Sequence, residues 1–334
     1  RASAPLSLLW ADIKIIGFQS CAFLWVDVAM VGDVNGDGYG DVLVGAWSYD
    51  VPGVGKDAGA AFLFYGPLSP RTLEGRIYDN QADVTFYGNL AGDHAGTAVA
   101  GAGDINGDGF ADILIGSNLA KLDSAYQGAT YIFLGPIAPG TLSLDDADTT
   151  LYGDESLDFA GTFLTKAGEL NQDGRGDILI GAPGVDIGLA TDAGAAFVLY
   201  GPLPNGVHKV GALGTRLEGT VRGDSAGHGV AGGMDLSGDG RPDIAIGAPF
   251  SGDGGEKAGK VYVLYSPLPM VQNLSLEDNA RAIYVGENLG QGQAGYTLGM
   301  AGDLHGDGLD DLLIGAPRTD TSGHTNNGTA YIIH

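Results

Sequence analysis

The segment Asp33-Val34-Asn35-Gly36-Asp37-Gly38-Tyr39-Gly40-Asp41 decides how the rest of this 334-residue chain is interpreted. It has oxygen-bearing side chains at its positions 1, 3, 5 and 9 and a glycine at position 6. Its three carboxylates repel one another unless a cation lies among them, and a hard cation such as Ca²⁺ takes about six to eight oxygen ligands. The glycine permits the positive φ that wraps a short chain around an ion. The segment therefore predicts a loop that binds a hard cation.

Four further segments repeat this pattern, so that the five loops begin at residues 33, 104, 169, 235 and 303. The side chains at position 7 are chemically unrelated, which suits a ligand supplied by the backbone carbonyl. The predicted ligands at positions 1, 3, 5, 7 and 9 are Asp33, Asn35, Asp37, Tyr39 and Asp41; Asp104, Asn106, Asp108, Phe110 and Asp112; Glu169, Asn171, Asp173, Arg175 and Asp177; Asp235, Ser237, Asp239, Arg241 and Asp243; and Asp303, His305, Asp307, Leu309 and Asp311.

These loops differ from EF-hands, although both begin Asp-x-Asx-x-Asx-Gly. An EF-hand needs a bidentate Glu at position 12, where this chain has Val44 or isoleucine. The last side-chain ligand must therefore come earlier, at position 9, where all five loops have Asp. The alternative is that the segments are Asp-Gly turns without a metal.

The five sites are not equivalent. Loops 1 and 2 have the complete set of ligands and are expected to bind most tightly. Glu169 in loop 3 has a longer side chain, and Ser237 in loop 4 is a weaker ligand. Since imidazole is a poor ligand for Ca²⁺, we expect loop 5 to be the weakest site, or to bind the ion without His305.

The flanks of the loops repeat as well and predict four short strands per unit. Each loop is followed by a buried-looking run such as Val42–Gly45, then by a run such as Ala60–Tyr65 and by a more polar run such as Val84–Tyr87. From the second unit onward, a Gly-rich run precedes the loop. Four-stranded units with a period of 65–71 residues are typical of blades, and blades in series form a β-propeller.

We therefore predict one all-β domain over residues 1–334, a five-bladed β-propeller. The predicted blades are about 18–88, 89–153, 154–219, 220–286 and 287–334. The fifth unit lacks a fourth strand, and the N-terminal segment 6–17 aligns with that strand as it occurs at 142–153. The N-terminal strand is expected to complete the last blade and close the ring. The alternative is a segment of a longer array.

Composition excludes some classes of partner. The formal net charge is −25, with 41 acidic residues against 16 Lys and Arg, which argues against nucleic acid and anionic lipid. The predicted ligands include 15 of those 41 acidic residues, so cation binding accounts for much of the charge. The single cysteine, Cys21, has no internal partner for a disulfide. We find no apolar run long enough to predict a membrane span.

The repeats resemble the FG-GAP repeat of the integrin α-subunit propeller and its bacterial relatives. The residues that carry this resemblance are the Asp-x-Asn-Gly-Asp-Gly-x-x-Asp loops and the Gly-Ala-Pro signatures at 181–183, 247–249 and 315–317. Ala-Gly takes the place of Phe-Gly at 95–96, 160–161, 226–227 and 294–295. The resemblance implies calcium in each loop, with the ligand positions given above. Integrin-type propellers have seven blades, whereas this chain has five repeats.

Three hypotheses about function follow. The first is a non-enzymatic, calcium-stabilised module for adhesion, interaction or structure outside the cytoplasm, since extracellular modules bind calcium at about 10⁻⁴–10⁻³ M. Its partner would be a protein or glycan at the cell surface or matrix, with self-assembly also compatible. The second is a polysaccharide-binding propeller, because aromatic and acidic residues such as Trp47 and Tyr49 lie between strands. The third is a hydrolase with Ser225 in Gly-x-Ser-x-Gly at 223–227.

Overall fold

The computed structural model describes residues 13–17, 27–69, 76–123, 126–287, 291–320 and 324–334. The predicted segments 6–12 and 18–26 lie outside these residues. In chain order the strands are β1 (Lys14–Ile16), β2 (Val28–Gly32), β3 (Asp41–Ala46), β4 (Ala60–Phe64), β5 (Arg76–Tyr78), β6 (Val84–Tyr87), β7 (Ala95–Gly103), β8 (Asp112–Ser117), β9 (Ala129–Phe133), β10 (Gly140–Ser143), β11 (Thr149–Tyr152), β12 (Phe163–Gly168), β13 (Asp177–Ala182), β14 (Ala195–Leu199), β15 (Gly206–Lys209), β16 (Thr215–Glu218), β17 (Gly229–Met234), β18 (Asp243–Ala248), β19 (Lys260–Leu264), β20 (Asn273–Ser275), β21 (Ala282–Val285), β22 (Thr297–Met300), β23 (Leu312–Ala316) and β24 (Thr329–Ile333).

Helices are short and precede the outer strands. Within the described ranges they are two single-turn α-helices, α1 (Val210–Leu213) and α2 (Leu276–Asn279), and two 3₁₀ turns, Asp79–Gln81 and Leu144–Asp146. No helix among the described residues has the length and apolar character needed to cross a membrane.

The strands form consecutive antiparallel sheets, as the repeats predict. Sheets 1 to 4 contain β2-β3-β4-β6, β7-β8-β9-β11, β12-β13-β14-β16 and β17-β18-β19-β21, and sheet 5 contains β22-β23-β24. The second strands β3, β8, β13 and β18 are buried along their whole length. Their continuous apolar runs are explained by this burial, because a strand covered on both faces has no solvent side to make polar.

A further strand links neighbouring sheets, and sequence analysis did not find it. β10, β15 and β20 each pair in parallel with the outer strand of the sheet before their own, namely β6, β11 and β16. These segments are only three or four residues long, and β10 and β15 are largely exposed. They lack the alternating pattern by which a strand is recognised.

The hydrophobic core lies between adjacent sheets in separate layers. Phe86 of sheet 1 contacts Phe133 of sheet 2, with ring centroids 4.7 Å apart, and equivalent apolar layers separate the following sheets. Paired glycines allow this approach: a Cβ on Gly181 would overlap the carbonyl oxygen of Gly227, which itself has a φ of +85°. The same pairing joins Gly116 to Gly161. The glycines that begin the Gly-Ala-Pro segments and end the Ala-Gly pairs therefore allow neighbouring sheets to approach closely.

The first strands of the five sheets surround a common cavity. The contacts run in order from β2 through β7, β12 and β17 to β22. Residues at the beginning of all five strands line a cavity of about 300 Å³, including Asp27, Thr97, Thr162, Gly229 and Thr297. This radial, all-β arrangement is consistent with a β-propeller.

Among the described residues, the N-terminal strand does not form the pairing with the last sheet that the predicted ring closure requires. β1 pairs in parallel with β5, whereas β24 pairs only with β23. The pairing of β1 with β5 matches the pairing of the outer strand β6 with β10: the last residues of β1 and β5 (Ile16 and Tyr78) are partners, as are the last residues of β6 and β10 (Tyr87 and Ser143). β1 therefore takes the register of an outer strand, but its pairing with sheet 5 stays a prediction.

Candidate metal centres

The five predicted loops each connect the first strand of a sheet to the second, so they lie at equivalent ends of the five sheets. In loop 1, the carboxylate at position 1 accepts hydrogen bonds from backbone N–H groups of its own turn. Asp33 Oδ1 accepts hydrogen bonds from the N–H groups of Gly36 (2.7 Å) and Asp37 (3.1 Å), and its Oδ2 accepts one from Gly38 (2.8 Å). Asp104, Asp235 and Asp303 make the equivalent bonds. Successive N–H groups that converge on one carboxylate form an anion-binding nest.

Positions 3 and 5 form a second layer of the loop. Asn35 Oδ1 accepts from the Asp37 N–H at 2.9 Å, and Asn35 Nδ2 donates to Asp37 Oδ2 at 3.0 Å. Asp37 Oδ1 in turn accepts from the N–H of Tyr39 at 2.9 Å. Loops 2 and 3 repeat all three bonds. In loop 4, the hydroxyl of Ser237 only approaches Asp235 Oδ1 at 3.5 Å.

The aspartate at position 9 is fully buried in every loop and connects three parts of the sheet. Asp41 Oδ2 accepts from the Val34 N–H at 2.9 Å, and its Oδ1 accepts from Gly66, just past the third strand, at 2.8 Å. Asp112, Asp177 and Asp243 make equivalent pairs of bonds. Burial raises the pKa of Asp112 and of Asp177 to about 6, against the opposing effect of these N–H donors. Sequence analysis predicted only a metal ligand here and missed this structural role.

The residues at position 7 reach the neighbouring loop. Phe110 lies against Gly36 of loop 1, so that a Cβ on Gly36 would overlap its ring. Arg175 Nε lies 3.4 Å from the carbonyl oxygen of Asn106 in loop 2, and Leu309 packs against Gly238 of loop 4. Loops 1 and 2, loops 2 and 3, and loops 4 and 5 are thus in direct contact.

Backbone hydrogen bonds at position 8 join the loops into a series with one gap. The N–H of Ala111 donates to the carbonyl of Asp33 (3.1 Å), and that of Gly176 donates to Asp104 (2.7 Å). Between loops 3 and 4 position 8 is Pro242, which has no N–H to donate to Glu169. A cleft of about 490 Å³ lies there, lined in part by Glu169 and Pro242.

The donor chemistry of loops 1 to 4 fits Ca²⁺. Their side-chain donors are carboxylates, an asparagine oxygen or a hydroxyl, and a carboxylate oxygen that accepts one N–H keeps acceptor capacity for an ion. Among the ion pairs of the described residues, none joins a Lys, Arg or His side chain to these carboxylates. The three acidic side chains of each of these four loops therefore have no ion-pair partner among the described residues.

Loop 5 differs, because histidine replaces the amide ligand. His305 Nε2 lies 2.9 Å from Asp307 Oδ2, and its Nδ1 lies 3.3 Å from Asp311 Oδ1. A second imidazole, that of His334 at the end of the chain's last strand, places its Nδ1 2.8 Å from the same Asp311 oxygen. Burial opposes ionisation of Asp311, but the Leu304 N–H and both histidines outweigh it and lower its pKa. Sequence analysis did not predict His334, although alignment of the third strands puts it where the first unit has Tyr65.

The serine considered as a nucleophile has a backbone role. Ser225 occupies a left-handed turn with φ of +52°, as His94 does at +63° in the second unit. Its carbonyl accepts from the His228 N–H, and the His228 ring Nδ1 lies 3.1 Å from the Tyr296 carbonyl. The imidazole is therefore directed at a backbone oxygen rather than at the serine hydroxyl.

Comparison with known proteins identifies the repeats. The FG-GAP repeat model matches residues 95–133, 160–199, 226–264 and 294–333, each beginning at the alanine of an Ala-Gly pair. Integrin alpha pat-2 of Caenorhabditis elegans is 28% identical over 323 residues, covering 90% of this chain and 22% of that protein. Integrin alpha-PS5 of Drosophila melanogaster is 31% identical over 204 residues, covering 59% and 18%.

This chain is also similar to a second type of protein. Phosphatidylinositol-glycan-specific phospholipase D of Mus musculus is 34% identical over 168 residues, which cover 47% of this chain and 18% of that protein. This chain spans about a fifth of the length of the curated relatives it matches.

Proposed function

Because this chain is an FG-GAP repeat protein similar to integrin α-subunits, we propose that it is a calcium-stabilised β-propeller that serves as a non-enzymatic adhesion or interaction module outside the cytoplasm. The observation that carries the proposal is the set of five acidic loops at corresponding positions of the five sheets, four of which have no ion-pair partner among the described residues. Calcium would supply the missing counter-charge.

In each loop the side chains at positions 1, 3, 5 and 9 and the carbonyl at position 7 would hold the ion. Loops 1 and 2 would bind most tightly, and loop 5, which has His305 in place of an amide oxygen, would be weakest for calcium. Bound calcium would tie the first two strands of a sheet together, since position 9 begins the second strand. Extracellular calcium is abundant enough to fill sites of modest affinity, whereas cytosolic calcium is not.

We further propose that five blades close into a ring. Two observations support this: all five first strands line one cavity, and β1 has the register of an outer strand although it belongs to no four-stranded sheet. In a closed ring β1 would add to β24, completing sheet 5 and covering its exposed edge.

The recognition surface would lie opposite the metal loops. The connections between second and third strands, at 47–59, 118–128, 183–194, 249–259 and 317–328, leave the sheets at the other end. They vary in sequence between units more than the metal loops do. The aromatic residues there, such as Trp47 packed on His94 at 4.5 Å and the partly exposed Tyr126, favour a glycan as the alternative ligand.

Calcium binding is tested by thermal unfolding with excess calcium and with a chelator, combined with a count of bound ions. We expect a higher midpoint with calcium, because a ligand of the folded state stabilises it, and four or five ions per chain. An unchanged midpoint would exclude the stabilising role.

Recognition is tested separately, with surfaces coated with the chain. Cell attachment that requires calcium supports adhesion, whereas retention of particular sugars on a glycan array supports the alternative. Hydrolysis of ester substrates that is lost in Ser225→Ala would contradict the non-enzymatic proposal.

A further inference from the structure

We infer that loop 5 is a site for a divalent transition-metal cation of the zinc type, with His305, Asp311 and His334 as its protein ligands. Among the described residues, groups of three or more His, Cys, Asp or Glu ligand atoms within 4.8 Å of one another occur only here: His305, Asp311 and His334, and the overlapping set Asp303, His305 and Asp307. The inference does not depend on calcium in the other four loops.

The chemistry of the donors argues against calcium in this loop. Ca²⁺ takes oxygen ligands, whereas imidazole nitrogen suits Zn²⁺, Ni²⁺, Co²⁺ and Cu²⁺. Loops 1, 2 and 3 each present an asparagine at position 3, and loop 5 alone presents a histidine. A second histidine, His334, directly follows β24 and lies 23 residues from Asp311 along the chain, and its Nδ1 approaches the same carboxylate oxygen. Two imidazoles on one buried carboxylate form a nitrogen-oxygen donor set.

The distances between the donors suit a small tetrahedral ion. Ligands held about 2.0–2.1 Å from a tetrahedral zinc ion lie roughly 3.3 Å from one another. Asp311 Oδ1 lies 3.3 Å from His305 Nδ1 and 2.8 Å from His334 Nδ1. The imidazole rings are 4.2 Å apart between centroids. Small rotations of the two rings would bring the three atoms around one ion.

The outer contacts also resemble those of a metal-binding histidine. When Nδ1 of His305 faces the ion, its Nε2–H points at Asp307 Oδ2, 2.9 Å away. A carboxylate that accepts the other ring N–H fixes the tautomer and orientation of a ligating histidine. The second oxygen of Asp311 is held by the Leu304 N–H at 2.7 Å. The side chains of His305 and His334 remain 35% and 50% exposed, so the fourth position opens to solvent, where water can bind.

The test titrates the full chain with Zn²⁺ in saturating calcium, which occupies any acidic loop that prefers calcium. We expect one zinc equivalent to bind, and Co²⁺ at the same site to give the visible absorption of a tetrahedral ion. His334→Ala and His305→Asn remove a ligand and should weaken zinc binding by more than the roughly 10–100-fold typical of an outer contact. Asp307→Asn should weaken it within that range at unchanged stoichiometry.

His324→Ala is the matched control, since His324 is an exposed histidine of the same unit and should leave zinc binding unchanged. Circular dichroism checks that each variant folds. Zinc binding of equal strength in the wild type and in both His305→Asn and His334→Ala would overturn the inference, as would no binding in excess calcium. Because His305→Asn restores the asparagine of loops 1 to 3, a gain of calcium binding there tests the calcium proposal, whereas the loss of zinc tests this one.

Discussion

Asp310 and Asp235 are joined by two hydrogen bonds across neighbouring loops. The Asp310 N–H donates to the carbonyl of Asp235 at 3.1 Å, and the Asp235 N–H donates to Asp310 Oδ2 at 2.9 Å. Asp235 is position 1 of loop 4, and Asp310 is position 8 of loop 5. The conformation of one candidate site is thus tied directly to that of the next.

Asp310→Ala removes the side-chain half of this link. A hydrogen bond to a charged group contributes about 1.5–3 kcal/mol, so we expect the free energy of unfolding in urea to fall by about that amount, with weaker metal binding at loop 4. Asp310→Asn keeps an acceptor oxygen and should recover most of the loss. Equal destabilisation by both variants would mean that the charge, rather than this bond, is what matters.

The two kinds of aspartate in loop 1 should respond differently to a chelator. Asp41 is buried and accepts N–H groups from Val34 and Gly66, so Asp41→Ala leaves buried donors unsatisfied. It should destabilise the chain by about 2 kcal/mol or more even without metal. Asp37 is exposed, and Asp37→Ala should cost stability mainly when calcium is present. Urea unfolding of both variants, with calcium and with chelator, separates the two roles.

The glycine pairs between sheets are expected to tolerate no side chain. Gly181→Ala places a methyl group on the carbonyl oxygen of Gly227, so neighbouring sheets must separate, at a cost of about 1–3 kcal/mol or more. Gly252→Ala is the control, because the nearest atom to its added Cβ is 3.9 Å away. Urea midpoints of the two variants should therefore differ clearly. A stable Gly181→Ala would show that the sheets can shift without loss.

His228 should make stability depend on pH. Burial among Phe163, Phe250 and Tyr296 lowers its pKa, against the opposing bond to the Tyr296 carbonyl. The unfolded chain then binds a proton near pH 6.5 that the folded chain does not, so the histidine reduces stability as pH falls below that value. As the pH falls below 6.5, the free energy of unfolding of His228→Phe should rise relative to that of the wild type by up to about 1.4 kcal/mol per pH unit. A difference that does not change between pH 8 and pH 5 would contradict this.

The parts of the molecule that repeat in sequence could be predicted, and those that depend on distant neighbours could not. Asp33 to Asp41 indicated a loop between two strands, because residue types at fixed spacing describe local structure. The role of Gly66 as a donor to Asp41, across 25 positions, depends on the register of the third strand. The parallel strand Gly140–Ser143 depends on the edge of another sheet. His334 reaches Asp311 for the same reason, and only alignment of the third strands reveals it.

Pro242 divides the series of five metal loops into two groups. Loops 1, 2 and 3 are connected through one run of backbone hydrogen bonds and loops 4 and 5 through another, while a cleft separates the two groups. Order imposed by an ion on loop 2 would pass through these bonds to loops 1 and 3, whereas Pro242 has no N–H to continue the run to loop 4. Coupling between bound cations would then be stronger within each group than between the two groups.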